Sequence, residues 1–184
     1  MLFSLPNILT LLRIVAIAPI VVLFYVDGNW TNWTVFGLFA IAGITDFFDG
    51  YLARATGQVS KLGRFLDPIA DKLLVSAVIL MLVAVGDLRG YAVLPGLVIL
   101  IREITVSGLR EYLAEVRVGV PVSSLAKWKT TIQMLALGFL IVGEASPAMI
   151  PSTLIGEVLI WIAAFLTVIT GFDYLRAGLK HMTD

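Results

Sequence analysis

An all-α integral membrane protein of six transmembrane helices is the fold class this sequence predicts, and three observations predict it. Of 184 residues, 59% are hydrophobic and only 14% charged, where soluble domains carry about a quarter charged residues, and the mean hydropathy is +0.98. The apolar residues gather into six runs of membrane-spanning length, a bilayer core of about 30 Å needing roughly 20 apolar residues per helix. The positive charges fall almost entirely on one side of those runs.

The runs lie at about 8–26, 34–55, 67–85, 92–114, 127–143 and 152–178. Arg13 interrupts the first and no charged segment precedes it, so this run is expected to remain as a helix rather than be cleaved as a signal peptide. The second, third and fourth are polar at one end, and the sixth overruns into a tail. Breaks are expected where turn chemistry sits, at Asp27-Gly28, Gly86-Asp87, Gly119-Val120-Pro121 and Ser146-Pro147. Residues 1–184 are expected to form a single membrane domain, with no repeat and no low-complexity tract.

With six spans, both termini share a side with the 56–66 and 115–126 connections. Twelve of the 13 lysines and arginines lie on that side or in the helix halves nearer to it, and only Arg89 falls opposite. The positive-inside rule makes the crowded side cytoplasmic. Trp30, Trp33 and Tyr91 then occupy the far interface, where aromatic belts form. Thirteen acidic residues balance the basic ones, which argues against a nucleic-acid partner. The absence of cysteine excludes disulfides, zinc-thiolate sites and thiol catalysis. The single histidine, His181, reads as a solvated tail residue, so a general base must be a carboxylate, lysine or tyrosine.

The informative stretch is 46–71. Asp46, Asp49, Gly50, Ala53 and Arg54 stand at i, i+3, i+4, i+7 and i+8, an arc of about 140° on one helix face. Asp67 and Asp71 are four apart and share a face of the next helix. Gly63 would extend that stripe if the helix begins early enough, and Pro68 suits a first helical turn. The connection between the two helices is short enough to favour antiparallel neighbours, which brings the four carboxylates together at the cytoplasmic end. One aspartate near a helix end is ordinarily a cap or an interfacial anchor, but four on two facing stripes are poorly explained that way. Each costs roughly 2.5–3.5 kcal/mol inside a membrane, and clustered acids repel. Divalent ions offset both, and an all-oxygen donor set selects Mg²⁺, Mn²⁺ or Ca²⁺ over zinc. Small Gly50 and Ala53 leave room for a bulky group, and Arg54 is placed to meet a phosphate. The pattern reads as a diphosphate-metal site.

The spacing Asp-x₂-Asp-Gly-x₂-Ala-Arg-x₈-Gly-x₃-Asp-x₃-Asp, from Asp46 to Asp71, resembles the signature of the CDP-alcohol phosphotransferase family without a departure. The resemblance implies six transmembrane helices, usually in a homodimer, with a site open to the cytoplasm. It implies two divalent cations, Mg²⁺ or Mn²⁺: Asp46 and Asp67 would bridge them, with Asp49 on one and Asp71 on the other. Asp71 would also be the catalytic base. Asn7, Thr10, Gly50, Arg54 and Ser60 would bind CDP-diacylglycerol.

Further segments resemble the branch whose acceptor is sn-glycerol 3-phosphate: Pro6-Asn7-x-x-Thr10-x-x-Arg13, the stretches Arg102–Glu111 and Val122–Met134, and Tyr174-Leu175-x-Ala177. Arg102 and Arg110 lie eight apart, and Lys127 and Lys129 begin the next helix; near the metals, these four cations suit a phosphorylated acceptor. Two alternatives stay open. One keeps the chemistry with inositol phosphate, serine or phosphatidylglycerol as acceptor. The other is a divalent-cation transporter, which should carry acids along the membrane depth rather than at one end. Gly138, Gly143, Gly156, Gly171 and Gly178 read as helix-packing positions, and Glu144 and Glu157 as outer-interface residues.

Overall fold

The computed structural model describes residues 5–56, 61–116, 118 and 124–179. Ser60, His181 and the turn expected at Gly119-Val120-Pro121 lie outside the described residues. Among the described residues six α-helices follow one another: α1 Leu5–Leu23, α2 Asn29–Thr56, α3 Lys61–Val85, α4 Val93–Glu115, α5 Ser124–Val142 and α6 Ser152–Leu179. Single 3-10 turns, Gly90–Ala92 and Gly143–Ala145, precede α4 and follow α5.

Among the described residues, four segments are long and apolar enough to cross a membrane: Phe65–Val85, Gly90–Glu115, Ser124–Ala145 and Ser152–Arg176. In α1 the apolar stretch Asn7–Leu23 is shorter. The 28 residues of α2 reach about 42 Å at 1.5 Å per residue, but its last third carries the acids. Large apolar side chains such as Val15, Leu80, Ile104 and Phe165 face outward. Such a surface would be a liability in water and is what a lipid-facing bundle presents. The protein is an integral membrane protein.

Two boundaries shift, the first with consequences for the site. The third helix starts at Lys61 rather than near 67, so buried Gly63 joins the Asp67–Asp71 stripe. Pro68 then lies inside the helix instead of in its first turn. The amide it lacks leaves the helix tolerable because it sits at the membrane-end third, beside polar groups. Second, α2 starts at Asn29, which puts Trp30 and Trp33 on its first turns; the Trp33 indole Nε1 donates to the Ala145 carbonyl at 3.2 Å.

One core runs through the bundle. Ile20, Phe39, Leu74, Val78, Leu82, Ile99, Leu137, Leu140 and Ile160 form one buried cluster drawn from all six helices. A smaller one joins Val106, Leu109 and Leu113 of α4 to Tyr174 of α6. Helix α1 packs against α2 and α3, while α6 packs against both α4 and α5. The molecule therefore has two helix groups, joined where α2 meets α5 and α3 meets α4.

Glycines set the closest approaches. A Cβ on Gly156 would stand 2.7 Å from Leu140 Cγ, one on Gly178 2.7 Å from Leu109 Cδ1, and one on Gly138 3.0 Å from Phe36. Gly143 differs from the packing position its sequence suggested. Its φ of +46° ends α5 in a turn, with no atom nearer than 4.0 Å to a Cβ there, so its use is backbone freedom.

Candidate active site

The start of α1, the end of α2 and the start of α3 meet at one end of the bundle. On α1, Asn7, Thr10 and Arg13 recur every three residues and are all buried, so one face of an otherwise apolar helix is polar. That face touches the acids. Thr10 Oγ1 donates to Asp67 Oδ1 at 2.7 Å. Arg13 Nη1 donates to Asp46 Oδ1 and to Asp71 Oδ1, each at 2.7 Å. The guanidinium is fully enclosed, whereas the Asp46 and Asp71 side chains are 39% and 48% exposed.

Three of the four predicted aspartates are thus drawn together from two helices by residues of a third. The helical spacing of α2 places Asp49, Gly50 and Arg54 on the Asp46 side of that helix; their side chains, like Ser60, lie outside the described residues. Among the described residues, no three acidic groups already close on one point in the manner of a finished metal cage.

The second polar group lies between α4, α5 and α6. Lys129 of α5, 3% exposed, pairs through Nζ with Glu103 Oε1 of α4. Arg102 Nη1 stands 3.3 Å from the same oxygen, and Nη2 donates to Thr170 Oγ1 of α6 at 3.2 Å. The guanidinium carbon lies 5.9 Å from the centre of the Tyr174 ring, a cation–π distance. Gly171 makes room for it, since a Cβ there would meet Arg102 Cγ at 3.0 Å. Among the described residues, Arg102 Nε, Gln133 Oε1 and Thr167 Oγ1 are buried without a hydrogen-bond partner.

The four cations expected to form one pocket therefore separate. Arg102 and Lys129 meet on Glu103, while Arg110 and Lys127 are exposed. Lys127 and Lys129 are two apart and point to opposite sides of α5. The two polar groups lie at the same end of the bundle, and Lys72, next to Asp71 on α3, is within electrostatic reach of Glu103.

The sequence pattern of the CDP-alcohol phosphatidyltransferase family matches residues 3–169. The chain belongs to this family. Over 178 residues it is 51% identical to the CDP-diacylglycerol–glycerol-3-phosphate 3-phosphatidyltransferase of Rickettsia bellii (strain RML369-C), 97% of each chain being covered. The protein of the same name from Pseudomonas fluorescens is 41% identical, with 97% of this chain and 92% of that one covered. The one from Cereibacter sphaeroides is 40% identical, with 99% and 98% covered.

CDP-alcohol phosphatidyltransferases are generally divalent-metal dependent, and the residues present fit such an ion. The donors are hard carboxylate oxygens, two of them share a single nitrogen, and both remain partly open on the side away from Arg13. Sequence reasoning took Arg13 only as an interfacial charge and an element of resemblance, and left Glu103 without a role. A signal for both was available. A charge inside an apolar helix is costly enough to need a partner, and Arg13 and Glu103 each sit in such a helix.

Proposed function

We propose that this protein transfers the phosphatidyl group of CDP-diacylglycerol to sn-glycerol 3-phosphate, giving phosphatidylglycerophosphate and CMP. The observation that carries the chemistry is the pair of acids from α2 and α3 held on one nitrogen of Arg13, half-open to the exterior. The acceptor follows the printed activity of relatives that match nearly the whole chain.

Asp46, Asp49, Asp67 and Asp71 would hold two divalent cations, Mg²⁺ or Mn²⁺, which when bound would supply positive charge to neutralise the diphosphate and the departing CMP. Asp71 accepts the proton of the acceptor hydroxyl. The oxygen then forms a bond to the β-phosphorus as the bond to the CMP oxygen breaks. Gly50 lets the nucleotide approach the α2 backbone, and Asn7, Thr10, Arg54 and Ser60 orient the CDP-diacylglycerol. Arg102 and Lys129, with Arg110 and Lys127 toward the exterior, attract the acceptor phosphate. Positioning and electrostatics do most of the work in phosphoryl transfer, and the bundle supplies both. Residues 1–184 act as one membrane domain, in a homodimer in the cytoplasmic (inner) membrane, with termini and site toward the cytoplasm, an orientation that the distribution of lysine and arginine supports.

The test uses purified protein in detergent with CDP-diacylglycerol, offering glycerol 3-phosphate, inositol phosphate and serine in parallel while CMP and lipid product are followed. Phosphatidylglycerophosphate formed with Mg²⁺ or Mn²⁺ and abolished by EDTA supports the proposal. Turnover with another alcohol alone overturns the acceptor, and no CMP from folded protein overturns the enzyme.

A further inference from the structure

Arg13 is the residue whose placement asks most of the fold. It stands in an apolar helix, its guanidinium wholly enclosed, with Nη1 at 2.7 Å from a carboxylate of α2 and from one of α3. A charge so buried is tolerated only where it is paired and hydrogen-bonded. The acids it meets are 39% and 48% exposed. The cation thus lies behind the pair and the open side lies in front. Two carboxylates on one nitrogen repel each other, and one guanidinium compensates only half of their charge. On the same face of α1, Thr10 ties down Asp67, so one helix face engages three of the four acids.

We propose that Arg13 is the built-in counter-cation of the Asp46–Asp71 pair, a positioning residue that holds both carboxylates from the buried side when no divalent ion is bound and leaves their outer side free for one. The inference rests on reading these acids as the cation site. Arg13 and the ion compensate the same negative charge from opposite sides. A chain deprived of Arg13 must therefore lean more heavily on the ion for its stability.

The experiment is thermal unfolding of the full-length protein in detergent, without substrate, in EDTA and in saturating Mn²⁺. Wild type, Arg13→Met and Arg13→Lys are compared, with Mn²⁺ binding counted by electron paramagnetic resonance. Arg13→Met should lose about 5 °C or more in EDTA and regain most of it in Mn²⁺, so that its Mn²⁺ increment is at least about double that of wild type. Arg13→Lys, which keeps the charge, should fall between the two. An equal loss with and without Mn²⁺, or a smaller Mn²⁺ increment, overturns the proposal. If Arg13→Met cannot be purified, an increment in Arg13→Lys no larger than that of wild type does so. Wild type that binds no Mn²⁺ would instead remove the cation site itself, an outcome distinct from failure of the Arg13 role alone.

Discussion

The two polar groups at the same end of the bundle have opposite balances. Between α1, α2 and α3, two aspartates share Arg13 and a third is held by Thr10, and the acids are partly open. Between α4, α5 and α6, two cations face one glutamate, and the group is closed: Lys129 is 3% exposed, and the side chains of Arg102 and Glu103 are 14% and 20% exposed. A surplus of open acid calls for a cation from outside. A surplus of enclosed positive charge calls for an anion, and the enclosure strengthens its pull by lowering the local dielectric. A reaction between a metal-bound diphosphate and a phosphorylated alcohol needs both. On the proposed reading the two tasks fall to different helix groups, which pack together where α2 meets α5 and α3 meets α4, with Lys72 of α3 within electrostatic reach of Glu103.

The contrast can be broken first on the open side. Asp67→Asn keeps the size and a Thr10 contact but removes the charge of a proposed ligand, and turnover should fall by about a thousandfold or more in protein that still inserts and folds. Retained turnover would refute the metal role of this group. On the closed side the largest loss should be in stability. Glu103→Gln leaves Lys129 and Arg102 without their shared counter-charge, at about 3–5 kcal/mol in denaturant or thermal unfolding. Glu103→Gln with Lys129→Met should recover part of it, because the stranded Lys129 charge is gone while Arg102 keeps Thr170 and the Tyr174 ring.

Smaller changes sharpen the picture. Arg110→Ala, outside the Glu103 group, should raise the KM for glycerol phosphate about tenfold, equivalent to about 1.4 kcal/mol, with that for CDP-diacylglycerol little changed. Equal effects on both would point to a general defect. Gly171→Ala should cost about 1 kcal/mol in unfolding, because Arg102, held by Glu103 and Thr170, cannot easily yield to the new methyl.

The smallest effect belongs to the far end, outside either group. There, partial burial and nearby Glu144 raise the pKa of Asp87 above its ordinary value, with Arg89 opposing. A carboxyl with a raised folded pKa binds its proton more tightly in the native state, so its contribution falls as pH rises from the unfolded to the folded pKa. Asp87→Asn should therefore add slight thermal stability at neutral pH and none at a pH below the ordinary carboxylate range.

Much of this was legible in the sequence because it depends on periodicity within a single helix. Six apolar runs gave six helices among the described residues, and the spacing of Asp67 and Asp71 put both on one helix, α3. Where the information lies between helices, periodicity is silent. Arg13 is thirty-three residues from one of its acids and fifty-eight from the other, and nothing in the local pattern names either partner. Arg102, Arg110, Lys127 and Lys129 read as one cluster along the chain. Packing turns Lys129 inward and Lys127 outward, and inserts Glu103 between the two that remain. The early start of α3 was hidden because Lys61 and Arg64 lower the apolarity of a segment that is helical all the same. Gly143 looked like a packing glycine because composition does not distinguish a close approach from a positive φ.

The measurement that tests the central claim most directly is Mn²⁺ binding by electron paramagnetic resonance, on substrate-free purified protein. Wild type, Asp67→Asn and the Glu103→Gln/Lys129→Met pair would be titrated side by side. The account predicts binding to wild type, marked weakening in Asp67→Asn, and binding preserved in the pair that alters only the closed group. Unchanged affinity in Asp67→Asn, or binding lost in the Glu103→Gln/Lys129→Met protein while it remains folded, would contradict the assignment of the cation site to the open acids of α2 and α3.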